Sequence, residues 1–235
     1  MTILISIQGN IGSGKSSLLK TLYDKHNKNL FFINNKKIGF LQEPVGEWEH
    51  IKDENNISLL ELYYNDQKTY SFAFQIMAFM SRLKQLKEAL SKDYDVIISE
   101  RSLSADHEIF TKMLLEDNSF KKIEYKLYLK WVNEFLVDMP KEYIVYLKTT
   151  PEIAYERIKN RNRQGENISF NYVKKCHNYH EKWINDLQFC LLNGNLNLNS
   201  KDNDKIIDLW LLKIKDYISN ICNSNDTKSH CSISC

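Results

Sequence analysis

Between Gln8 and Ser17 the chain reads QGNIGSGKSS, and three of its seven glycines fall within residues 9–14. A chain this poor in glycine concentrates its backbone freedom where the main chain must turn tightly or approach another group closely. Residues 9–16 fit the pattern G-x-x-x-x-G-K-[ST], in which successive backbone N–H groups wrap a phosphate and the following helix N-terminus adds positive potential. The flanks agree. Residues 3–7 form an apolar run that reads as a buried strand, and residues 15–23 place Leu18, Leu19 and Leu22 on one helical face. In this reading Gly9, Asn10, Ile11, Gly12, Ser13, Gly14, Lys15, Ser16 and Ser17 cradle the phosphates of a nucleotide, Lys15 reaches the terminal phosphates, and the Ser16 hydroxyl ligates Mg²⁺.

The remaining pattern extends this start into an α/β sheet protein. A second strand, 37–42, stops at Glu43-Pro44, where proline interrupts a ladder. Helices are expected over 58–64 and 70–90, a third strand over 94–99 ending at Glu100-Arg101, helices over 104–116 and 120–138, and a fourth strand over 143–148. A helix from Pro151 runs into the basic stretch RIKNRNRQGE, and a further helix covers 170–192. A brief strand at 196–198 and a helix over 204–221 precede a polar tail, 223–235, expected to be disordered. Strands that are apolar almost throughout, alternating with helices, imply a parallel sheet covered on both faces, a three-layer arrangement with five strands. Residues 1–222 then form one domain, for which 43 % apolar residues supply an ample core.

Bulk charge excludes little but directs attention to local sites. Basic and acidic residues number 32 and 30, so nothing favours a nucleic acid or an acidic membrane as partner. Five cysteines, odd in number and without CxxC spacing, indicate neither a zinc site nor a disulfide framework. A reducing, cytoplasmic compartment fits, and no basic leader precedes the first apolar run.

Catalytic groups of parallel sheets gather at the carboxyl ends of strands. Glu100 occupies such an end, from which a carboxylate reaches Mg²⁺ or its waters, and Arg101 beside it can contact the transferred phosphoryl group. Glu43 closes another strand, and without a metal to bind it can take the proton of an attacking hydroxyl. Arg157, Arg161 and Arg163, with Glu166 three residues on, suit a lid over about 159–168 that neutralises charge on the γ-phosphoryl. The phosphate loop alone does not separate a kinase from a switch GTPase or a motor ATPase.

Taken together, the ordered motifs resemble the deoxynucleoside kinases related to deoxycytidine kinase and deoxyguanosine kinase. GNIGSGKS is similar to the family's phosphate loop, EPVGEW (43–48) to its EPV-x-x-W segment and YSFAFQIMAFMSR (70–82) to its base-binding helix. ERSLSADHEIF (100–110) resembles the ERS motif, YLKTTPEIAYERIKNRNR (146–163) the helix leading to an arginine lid, and YHEKW (179–183) the HE-x-W signature. The resemblance implies a P-loop kinase fold with an arginine lid and an ATP- and Mg²⁺-dependent transfer to the 5′-hydroxyl of a deoxynucleoside. It implies Glu43 as general base, Arg101 near the hydroxyl, Trp48 and Phe110 sandwiching the base, Gln75 on its polar edge, and Tyr64 with Glu166 at the 3′-hydroxyl. Arg82 and Asp106, as an ion pair over the base edge, imply dA, dG or dC in preference to dT. A homodimer joined through helices between 70 and 138, and inhibition by an end-product triphosphate, are implied as well. Two other readings stay open. A nucleoside monophosphate kinase, such as a thymidylate kinase, would need an acceptor-side arginine where Glu43 stands, and a nucleotide-gated regulator would bind ATP or GTP without turnover.

Overall fold

In the computed structural model, residues 2–196 and 203–230 are described, with side chains over 2–196 and 204–224. Five strands, β1 (Ile3–Gln8), β2 (Ile38–Leu41), β3 (Val96–Glu100), β4 (Glu142–Lys148) and β5 (Phe189–Asn193), lie all parallel in the order β2-β3-β1-β4-β5. Central β1 is buried along its whole length, as a strand covered on both faces must be. Its alternate residues divide the interior. Ile3, Ile5 and Ile7 join Val96, Ile98, Val145 and Leu147 under α1 (Lys15–Asn27) and α10 (Asn203–His230), where Trp210, Ile214 and Ile218 come from successive turns of α10. On the opposite face Leu4 and Ile97 meet α2 (Val45–His50), α3 (Leu59–Asn65), α4 (Gln67–Leu90) and α7 (Lys122–Leu136). Burial of each such aliphatic side chain contributes roughly 1.5–3 kcal/mol, so the sheet position of β1 is set from both sides.

After β3 the chain forms a short α5 (Leu103–Ala105), a π-helical segment at Asp106–Thr111 and α6 (Lys112–Glu116). The Thr111 hydroxyl donates to the Asp106 carbonyl at 2.8 Å, which supports the wide turn. Helices α8 (Pro151–Arg161) and α9 (Phe170–Ile184) flank the segment that carries the basic stretch. None of the described helices is long and apolar enough to cross a membrane.

The fold class agrees with the reading of the sequence, and some local expectations differ. The expected helix over 170–192 stops at Ile184, and the apolar run Phe189–Asn193 pairs with β4 as the fifth strand. Four successive apolar residues satisfy either period, and only pairing with the exposed side of β4 decides between them. Of the strand expected at 196–198, Leu196 lies in a bend, and 197–198 are outside the described residues. The stretch after Pro44 winds into α2, with Pro44 at its N-cap, outside the part of the helix where a missing N–H would break a bond. The tail expected to be disordered continues α10 as far as His230, because no proline or glycine interrupts the run after residue 203; residues 231–235 are outside the described residues.

Candidate active site

Parallel pairing brings the carboxyl ends of β1, β2 and β3 to one edge, and in register Ile7 lies beside Glu100 and Leu41 beside Ser99. The chain leaves β1 into the glycine loop. Gly12, at φ +76°, has the Ala154 carbonyl and Ile158 Cγ1 where a side chain would begin, so only glycine lets the loop close against α8. Gly14, at φ +98°, is the N-cap of α1, leaving the first N–H groups of that helix open toward the cleft. Asn10 is turned inward, its side chain donating to the Val173 carbonyl at 2.9 Å and accepting from the Ile11 N–H at 2.8 Å. Gly9 and Asn10 therefore shape the loop from behind. Residues 11–17 line the cleft itself.

Lys15 is 5 % exposed and donates to the Asn10 carbonyl at 2.7 Å. Burial and the nearby Arg101 guanidinium lower its ammonium pKa to about 7. A phosphate bound there would restore the proton. The Ser16 hydroxyl donates to Glu100 Oε1 at 2.6 Å, while Glu100 Oε2 is buried with no hydrogen-bond partner among the described residues. A hydroxyl next to a buried carboxylate oxygen with unused acceptor capacity fits a hard cation that takes oxygen ligands and keeps most of its waters. Ser16 and Glu100 are the groups here that would hold Mg²⁺.

Glu43, just beyond β2, stands between this loop and a second, polar region. Its Oε1 accepts from Arg82 Nη2 at 2.9 Å and is ion-paired with Arg101, whose Nε lies 3.2 Å away. Against the cost of burial, the two guanidinium groups hold the carboxyl at about 2. Arg101 takes a left-handed conformation, φ +63°, directly after β3. Such a conformation is uncommon for a non-glycine residue and needs support from its surroundings. The support is visible: its N–H donates to the Ile7 carbonyl at 3.0 Å, its carbonyl accepts from Ser99 Oγ at 2.8 Å, and its guanidinium lies 4.8 Å from the Phe110 ring centre. His180, fully buried on α9, presents Nε2 3.5 Å from Arg101 Nη1 and places Nδ1 2.6 Å from the Cys176 carbonyl. Burial and Arg101 push its pKa far below the usual value, so the ring is neutral with the proton on Nδ1.

Farther along the same cleft, α4 presents Gln75, Ala78 and Arg82 from one face, all buried. Arg82 Nε and Nη2 donate to Asp106 Oδ2 and Oδ1 at 3.0 and 3.3 Å, and Nη1 donates to the Glu100 carbonyl at 3.1 Å. Burial raises the Asp106 carboxyl against the pull of Arg82. Gln75 Oε1 is buried without a hydrogen-bond partner among the described residues. Trp48 donates from Nε1 to Ser81 Oγ at 2.9 Å, which fixes its ring beside the cleft, and Phe110 lines the cleft one turn after Asp106.

The basic residues in the last turns of α8 and just beyond it behave differently from one another. Arg161 and Arg163 both donate to the Glu166 carboxylate, the latter at 3.0 Å. Arg157, expected at the nucleotide, donates to the backbone carbonyls of Ser13 (3.3 Å), Gly194 (2.7 Å) and Leu196 (3.0 Å), and so ties the phosphate loop to the segment after β5. Sequence reading missed Tyr63, Tyr172 and His180. The Tyr63 and Tyr172 hydroxyl groups are 2.7 Å apart at the cleft wall, and no short motif marks either. His180 belongs to YHEKW, but nothing in that stretch names Arg101 as its neighbour.

Lys15, Ser16, Glu43, Trp48, Tyr64, Gln75, Arg82, Glu100, Arg101, Asp106, Phe110, Arg157, Arg161, Arg163 and Glu166 all line one cleft of about 1310 Å³. That exceeds the 300–1,000 Å³ typical of a site for one small ligand, as two substrates side by side require. A parallel sheet with a phosphate loop after its central strand and an arginine-bearing segment opposite defines a P-loop kinase. The deoxynucleoside kinase profile matches residues 5–215. The "Probable deoxycytidine kinase FPV151" of Fowlpox virus (strain NVSL) is 37 % identical over 186 residues, covering 77 % of this chain and 72 % of that one. The mitochondrial deoxyguanosine kinase of Xenopus laevis is 33 % identical over 200 residues, with the same two coverages. Human mitochondrial thymidine kinase 2 is 28 % identical over 184 residues, covering 77 % of this chain and 64 % of that one. The chain belongs to the deoxynucleoside kinase family, and is an enzyme that transfers phosphoryl groups to nucleosides.

Proposed function

We propose that the enzyme transfers the γ-phosphoryl of ATP to the 5′-hydroxyl of a deoxynucleoside whose base bears an exocyclic amino group, dA, dG or dC in preference to dT. The observation that carries this reading is Glu43, a carboxylate between the phosphate loop and the base pocket, held by Arg101 and Arg82. The hydroxyl oxygen bonds to the γ-phosphorus as the bond to the β–γ bridging oxygen breaks. That electron pair leaves with ADP, and the hydroxyl proton passes to Glu43. With both guanidinium groups on it Glu43 is a weak base, held near pKa 2, and in a loose transition state its first task is to orient the hydroxyl before taking the proton. Lys15 neutralises the terminal phosphates, and Arg101 faces the reacting oxygen. Arg161 and Arg163 exchange Glu166 for phosphoryl oxygens when the lid closes. Ser16 and Glu100 would hold Mg²⁺, which would supply positive charge to the bound triphosphate.

The amino-base preference is supported by Gln75 Oε1 and the Asp106 carboxylate, two buried acceptors in one pocket. An amino group offers two N–H donors. Thymine has no amino group, only the N3–H between two carbonyls, and its methyl group would press on the Arg82–Asp106 pair. Family membership alone leaves the base open, since relatives carry deoxycytidine, deoxyguanosine and thymidine kinase names. The carboxylates of Glu43, Asp106 and Glu166 around the acceptor region disfavour a nucleoside monophosphate as acceptor. A homodimer is supported by exposed apolar residues on the outer faces of α4 and α7, namely Met80, Ile123, Leu127 and Trp131.

The test is kcat/KM for dA, dG, dC and dT with Mg-ATP, read as ADP release. Preference for one of the first three is expected. Efficient use of dT would overturn the amino-base assignment, and ADP release indifferent to every nucleoside would overturn the kinase itself. A sedimentation mass near one chain's 27.8 kDa would overturn the dimer.

A further inference from the structure

Arg82 is shared between the two halves of the site. It donates twice to Asp106, which borders the base pocket, and once to Glu43, which meets the reacting hydroxyl; its remaining bond goes to the Glu100 carbonyl at the end of β3. Each partner comes from a different segment: the π-helical turn, the end of β2 and the end of β3. Arg82 Nη2 is the nitrogen that serves both carboxylates, at 3.3 Å to Asp106 and 2.9 Å to Glu43. These bonds engage four of the five guanidinium N–H groups, and of their acceptors Glu43 is the one that a second guanidinium, that of Arg101, also holds, so a base edge that draws Arg82 toward the base pocket gives up the Glu43 contact first.

We propose that Arg82 is a positioning residue that couples base recognition to release of Glu43: a base accepting from the guanidinium draws it off Glu43, leaving that carboxylate held by Arg101 alone. The coupling rests on the reading of Glu43 and the base pocket given above. With one cation removed, Glu43 is the better acceptor for the hydroxyl proton, and with one bond fewer its oxygens can follow the sugar. Binding free energy from the base edge, remote from the reacting atoms, then appears in kcat as well as in KM. A sugar without a base leaves Arg82 on Glu43 and reacts slowly even when it saturates the enzyme.

The experiment compares a deoxynucleoside with its abasic analogue, in which C1′ carries hydrogen in place of the base, both at saturation with Mg-ATP. For the wild-type enzyme the abasic kcat is expected to be about a hundredfold lower, the order associated with a well-placed proton acceptor. The double variant Arg82→Met/Asp106→Asn removes the guanidinium without leaving a lone buried carboxylate. In it the abasic kcat should rise until the two acceptors differ by less than about tenfold. An abasic kcat unchanged in the double variant, with only the nucleoside KM raised, would overturn the coupling and leave Arg82 a binding residue.

Should the double variant not fold, the wild-type enzyme answers through crystal structures of its two complexes. The Arg82–Glu43 contact is expected to open with the nucleoside and to persist with the abasic analogue, and a contact closed in both complexes would overturn the proposal. If the wild-type enzyme phosphorylates no deoxynucleoside, the function proposed above fails, while the Arg82–Glu43 distance in the nucleoside complex still reports on the coupling.

Discussion

Replacing Glu43 by glutamine separates what its charge does for the fold from what it does for the reaction. The amide keeps an oxygen that Arg82 and Arg101 can reach but carries no charge, so it approximates the protonated carboxyl. In the folded protein that carboxyl titrates at about 2 against 4.5 ordinarily. Glu43 stands within 3.2 Å of both guanidinium groups and its side chain is 18 % exposed, so little solvent screens them. A shift of this size corresponds to roughly 3 kcal/mol of stability at neutral pH. Because the folded value is depressed, the contribution is present above about pH 4.5 and is lost as pH falls toward about 2. For a chain of this length Glu43→Gln should therefore lower Tm by about 6–12 °C at pH 7, and the gap to wild type should close as pH approaches 2. The same variant should lose at least about a hundredfold in kcat for the preferred deoxynucleoside, with KM changed much less. Calorimetric scans across pH and steady-state ADP release measure the two effects separately. A Tm within a degree or two of wild type would refute the ion-pair reasoning, and an unchanged kcat would remove Glu43 from the reaction.

The Lys15 ammonium, at about 7 in the free enzyme, should be returned to its charged form by bound phosphates. The Kd for ATP should then rise about tenfold per unit above pH 7; titration calorimetry giving a flat Kd through pH 9 would contradict this. Gly12→Ala forces a side chain into left-handed backbone against the Ala154 carbonyl. Strain on the order of 1–2 kcal/mol, before any steric contact, should weaken ATP about tenfold or more; unimpaired ATP binding with an unchanged Tm would show that the loop does not need to close there. Arg161→Ala should cost about 10²–10³ in kcat with a small change in nucleoside KM, as for a group that meets charge developing in the transition state. A loss confined to KM would make Arg161 a holder of Glu166 alone.

The phosphate loop, the strand before it and the helix after it were legible because each is a local consequence of contiguous residues. Glycines at set spacing admit the left-handed turns, an apolar run with helical neighbours is stable only as a covered strand, and neither depends on distant partners. Glu43, Glu100 and Arg101 were legible for a related reason, since a parallel sheet brings every strand's carboxyl end to one edge. The run Phe189–Asn193 was not, because four apolar residues satisfy a helix or a strand equally and only the open side of β4 selects the strand.

Side-chain partnerships belong to the tertiary structure. Arg82 is 39 residues from Glu43 and 24 from Asp106, and its place between them follows from the rotation of α4 over the sheet and from the π-helical turn. Arg157 and Arg161 stand one helical turn apart. Tertiary packing directs the first to the backbone carbonyls at Ser13, Gly194 and Leu196, and the second to Glu166. Sequence determined the backbone cradle, because backbone conformation is a local property. Which carboxylate each arginine holds was decided only when the sheet and its helices packed, because a hydrogen bond depends on positions to within a few tenths of an ångström.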